Sequence, residues 1–141
     1  MKADQIMRNE LMGLLQGANA HMSCDDAVAE FPIDFLNRRP PNTPYSFWHF
    51  VEHLRIAQWD ILEFIRNPDH ISPDYPQGYR PGAEQKTDEA GWYKSCDCFR
   101  RDLASLMEMV RNQSLDLLAP IPHARNYTIY REILTVADHN A

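Results

Sequence analysis

The chain has 141 residues, 44% of them hydrophobic and 24% charged, with 14 basic against 20 acidic side chains and a net charge of −6. That length makes one domain, read here as residues 1–141, long enough to bury a core without disulfide staples. The acidic balance excludes the basic stripe that nucleic acids require and disfavours anionic membranes; no run reaches the roughly 20 apolar residues of a membrane span.

Apolar residues recur with helical spacing from the start of the chain. Met7, Leu11, Leu14, Leu15, Ala18 and Met22 form a first stripe behind Asp4 as N-cap, fading by His21 to Asp25. Pro40, Pro41 and Pro44 in the connector that follows then forbid helix continuation. Ser46 caps a second helix, whose stripe of Phe47, Phe50, Leu54, Ala57, Ile61 and Phe64 runs to about Arg66. Residues 67–87 hold Pro68, Pro73, Pro76 and Pro81, a connection of about 20 residues and so a long one for a compact domain. Thr87 with Asp88 and Glu89 opens a third helix along Trp92, Cys96, Phe99, Leu103, Leu106 and Val110. After Pro120 and Pro122, Thr128 caps a fourth with Ile129, Ile133, Val136 and Ala137. No alternating β-branched run flanks a tight turn, so no strand is expected. The fold class is all-α: a four-helix bundle with a long crossover between its second and third helices. The opening MKADQIMRNE lacks the apolar stretch of a secretion signal, and three cysteines cannot all pair within the chain. The reading is a cytoplasmic protein with reduced thiols.

Six histidines are the candidate chemistry. At about 100° per residue, His53 lies roughly 80° from the middle of its helix's stripe and His139 about as far from that of the fourth helix. Two flanking imidazoles on facing helices can converge on a metal. His49, about 40° further round, is expected nearer solvent, and Asp60 on the His53 side is expected as a solvated carboxylate or a partner for His139. His70 and His123 are expected to face solvent from loops. His49 to His53 also spells H-x-x-E-H, the pattern of inverted zinc peptidases with Glu52 as general base. The competing expectation for Glu52 is a salt bridge to a basic neighbour on the polar side of the helix.

Two stretches go beyond pattern. Residues Glu52 to Phe64, EHLRIAQWDILEF, and Arg131 to Ala141, REILTVADHNA, resemble the DinB/YfiT-like superfamily of damage-inducible proteins and their metal-dependent relatives. Weaker echoes lie at Ala20-His21, Asp25 to Val28, the proline-rich loop and Pro120 to His123, in order along nearly the whole chain. The resemblance implies a four-helix bundle binding a divalent metal, zinc or nickel, through three histidines, one on the second helix and two spaced four apart on the fourth. The first matches His53 and the second His139. The third would fall four residues after His139, past Ala141, leaving the triad incomplete and the fourth helix apparently truncated. His49 or His21 is the substitute donor to look for.

Three functions follow as expectations. The resemblance implies a metal-dependent hydrolase or thiol S-transferase acting on a small-molecule substrate or low-molecular-weight thiol. The alternative is a truncated, non-catalytic bundle working through homodimerisation, since a shortened end leaves apolar helix faces uncovered. The third is the H-x-x-E-H peptidase.

Overall fold

The computed structural model describes residues 2–17 and 19–141. Among them are five α-helices: α1 (Lys2–Gln16), α2 (Cys24–Val28), α3 (Phe47–Arg66), α4 (Glu89–Arg111) and α5 (Ile129–His139). Two single turns of 3-10 helix, Ile33–Phe35 and Gln77–Tyr79, lie in the connections. A short antiparallel hairpin, β1 (Pro120–Ile121) with β2 (Ala124–Thr128), precedes α5. The expectation of no strand is thereby corrected. This pairing is two residues long on its shorter side and turns through Pro122-His123, so it has neither the alternation nor the turn residues that reveal a hairpin.

Local chemistry explains most boundaries. The Ser46 hydroxyl caps α3 and the Thr128 hydroxyl accepts from Arg131 N–H to cap α5, both as the sequence predicts. The third predicted helix starts one residue late: Asp88, rather than Thr87, caps α4 by accepting from Gly91 N–H. Thr87 instead exchanges backbone hydrogen bonds with the Asn37 side chain, tying two connections together. Asp4 lies inside the first turn of α1 and pairs with Arg8 at 2.7 Å, so it is not a cap. Helix α1 stops at Gln16 because Gly17 turns to φ +74°, a conformation glycine adopts without strain. Met22 therefore lies beyond the helix and is 68% exposed; Ala18, expected on the same stripe, is outside the described residues.

Helix α1 packs on α4 and α5, and α3 packs on the same two helices. The main core sits between them, built from Leu11 and Leu15, Leu62 and Ile65, Leu106 and Val110, and Ile133 and Val136. The hairpin adds Ile121 at one end. A second, smaller cluster of Leu36, Val51, Trp92 and Cys96 lies under the connector, with Phe31 packed against it. On α3 the core face is rotated from the predicted stripe. Val51, Gln58, Leu62 and Ile65 are buried, whereas Phe50 is 44% exposed. Gln58 tolerates the core because its amide is used at both ends, donating to Phe99 O at 2.8 Å and accepting from Asn140 Nδ2 at 2.9 Å.

Among the described residues no helix is long and apolar enough to cross a membrane.

Candidate functional site

The crossover after α3 runs back along that helix and grips it at three successive levels. Near the helix start, His49 donates from Nε2 to the Gly82 carbonyl at 2.9 Å. One turn on, His53 donates from Nδ1 to the Tyr79 carbonyl at 3.0 Å. Two turns further, Asp60 accepts from the Tyr79 hydroxyl at 2.8 Å and from His70 Nε2 at 2.7 Å. The Trp59 ring stands edge-on to His70, with centroids 5.2 Å apart. These contacts cover one side of α3.

Three expectations are corrected by this strap. His49 is only 2% exposed, not near solvent, because the crossover lies over it. Its ring completes a capping box: Nδ1 accepts from the Ser46 hydroxyl at 2.6 Å and from Ser46 N–H at 3.3 Å. Asp60 is a buried, doubly bonded carboxylate, and its partners are His70 and Tyr79 rather than His139. The His70 side chain is 7% exposed and faces α3, not solvent. His123 does face solvent, and from the hairpin turn it donates to the Phe64 carbonyl at 2.7 Å, one of the carbonyls that the end of α3 leaves open.

His53 and His139, which are 86 positions apart in the chain, meet. Their Nε2 atoms are 3.0 Å apart and their ring centroids 4.9 Å, with the planes tilted by 58°. A carbonyl oxygen can only accept, so the Tyr79 contact puts the His53 proton on Nδ1 and leaves the Nε2 lone pair facing His139. Without a cation, His139 supplies the shared hydrogen through its own Nε2–H. Burial and the neighbouring His53 push the His139 pKa below the ordinary 6.5, while Asp138 pulls the other way. Neutral imidazole, the ligand form, is thus favoured at His139.

No protein-family model, curated protein or solved structure gives a match to this chain. The site must be judged on its own geometry. Two imidazole nitrogens on adjacent corners of a tetrahedral zinc, each at about 2.0–2.1 Å, stand about 3.3 Å apart. The observed 3.0 Å needs only a small opening. A backbone carbonyl on the far nitrogen of His53 is the usual support of a metal-binding imidazole. Among the described residues, however, no three His, Cys, Asp or Glu side chains are gathered as a metal cluster. His21, exposed in the connector after α1, does not join the pair. His49 has committed both nitrogens to Ser46 and Gly82. An H-x-x-E-H site would need that ring, and Glu52 is held instead by a two-pronged bond to Arg55 at 2.5 and 3.0 Å.

Tyr79 and His70 are the site residues that sequence reasoning missed. Neither lies in a periodic segment; the length of the crossover was the only signal pointing there.

Proposed function

We propose that this chain is a DinB-like four-helix bundle whose His53 and His139 bind one divalent cation, zinc or nickel. The function that follows is a metal-dependent hydrolase or thiol S-transferase. The bundle reading is supported by the packing of α1 and α3 each against both α4 and α5. The observation that carries the metal reading is the 3.0 Å approach of two Nε2 atoms from different helices, one of them with its tautomer set by Tyr79. A cation held by two imidazoles keeps open positions and supplies Lewis acidity for hydrolysis or for transfer of a small thiol. The chain's own part is to present two neutral imidazoles side by side and to hold them there from α3 and α5. The free thiols Cys24, Cys96 and Cys98 fit a reducing compartment such as the cytoplasm.

Calorimetric titration of zinc and nickel into metal-stripped protein tests this. The expected result is one ion per chain with a dissociation constant in the micromolar range. Absence of saturable binding, or equal binding by the His53→Ala, His139→Ala double variant, would end the reading.

Self-association is a second reading. It is favoured by an apolar groove lined by Met22, Phe31, Phe47, Phe50, Leu54 and Trp92, of which Met22 and Phe50 are 68% and 44% exposed. Sedimentation should then show a concentration-dependent dimer that Phe50→Ser disrupts. A monomer at every concentration rules it out.

A further inference from the structure

Tyr79 is held at three points. Its backbone N–H donates to Pro76 O at 3.2 Å, closing the 3-10 turn, its hydroxyl reaches Asp60 and its carbonyl receives His53. Asp60 stands seven residues after His53 on α3, about 10 Å along the axis and on nearly the same face. The Tyr79 residue therefore spans two turns of helix, anchored by its side chain at one end and presenting its carbonyl at the other. Asp60 is in turn fixed through its second oxygen by His70, against which Trp59 packs.

We propose that Asp60 and Tyr79 are positioning residues for the His53–His139 pair: the hydroxyl–carboxylate bond holds the Tyr79 carbonyl where it selects the Nδ1–H tautomer of His53. The inference rests on that pair being the functional site and adds how its readiness is set. A neutral imidazole has one N–H and one lone pair. With the proton on Nδ1, the lone pair is on Nε2, facing His139. Once the carbonyl drifts away, the proton is free to occupy Nε2 and the lone pair turns from the shared position. The strap over α3 thus sets the donor state of a ring to which it is hydrogen-bonded through its backbone.

Nitrogen NMR of the His53 imidazole, with a parallel zinc titration, tests this in the full chain. The parent should show a single Nδ1–H tautomer. Tyr79→Phe, which keeps the ring and loses only the hydroxyl, should give a tautomer mixture and bind zinc about 10-fold more weakly, the lower end of what loss of a supporting hydrogen bond costs a metal site. Asp60→Asn should do the same. His123→Gln, which frees a different connection from α3, should lower thermal stability and leave the His53 tautomer alone; this separates positioning from mere loss of a clamp. If Tyr79→Phe keeps the parent's tautomer and zinc affinity, the positioning role is overturned. A parent that binds no zinc but whose tautomer shifts in Tyr79→Phe refutes the metal reading and leaves the positioning role standing. Zinc bound by the parent with an unmoved tautomer in the variant does the reverse. Should Asp60→Asn fail to fold, Tyr79→Phe decides alone.

Discussion

Arg8→Met is expected to lower the stability of the domain by about 3–5 kcal/mol, a large part of the roughly 5–15 kcal/mol that a domain has in all. Arg8 is 5% exposed although it carries a permanent charge. Its guanidinium donates to the carbonyls of Val110 at 2.8 Å, Asn112 at 3.1 Å and Leu115 at 2.7 Å, and to the Asp4 carboxylate at 2.7 Å. The first two carbonyls close the end of α4, and the third belongs to the turn that leads to the hairpin. One side chain from α1 therefore satisfies acceptors that the end of α4 cannot satisfy for itself. Methionine fills much of the same volume, so the loss reports on the carbonyls left without donors rather than on a cavity. Asp4→Ala removes only a partner that is 48% exposed and should cost no more than about 1 kcal/mol. Urea unfolding of the two variants measures the contrast. Equal effects would mean that the ion pair, and not the capping of α4, is what matters.

His49→Ala and His53→Ala should have opposite signatures although the two residues are one turn apart. His49 caps α3 through Nδ1 and holds the crossover through Nε2, and it is almost fully buried. Removing it loses a cap worth about 1 kcal/mol, leaves the Gly82 carbonyl without its donor and opens a void, for a total of about 2–4 kcal/mol. Metal affinity measured below the melting point should stay close to that of the parent. His53→Ala gives up one bond to Tyr79 O and a partly exposed ring, a smaller loss of about 1–2 kcal/mol. It should weaken zinc binding by at least about 100-fold, because loss of even a supporting hydrogen bond costs a metal site about 10–100-fold. Thermal melts paired with calorimetry read both effects. An affinity that falls in His49→Ala as far as in His53→Ala would refute the division of roles.

The four long helices were legible because their causes are short-range. Trp92, Cys96, Phe99, Leu106 and Val110 on α4, and Ile129, Ile133 and Val136 on α5, are all buried as their spacing predicts. Ser46 and Thr128 cap where a hydroxyl one position before an apolar stripe should. The positions of His53 and His139 on the flanks of their stripes were also visible, since an angle around a helix follows from counting residues.

What lay beyond the sequence was everything set by the path of the crossover. The same counting put His49 and Asp60 toward solvent, and it would be right for a helix with one buried side. Helix α3 has two, because residues 70–82 cover the second, and nothing periodic in that proline-rich stretch says where it goes. Gln58 is polar yet buried, because Phe99 O and Asn140 Nδ2 meet it there, both from distant parts of the chain. The order of residues by itself determined where α3 and α5 start and which two imidazoles could meet. Only the tertiary structure decided which nitrogen of His53 is free, since that depends on the Tyr79 carbonyl brought 26 positions back along the chain.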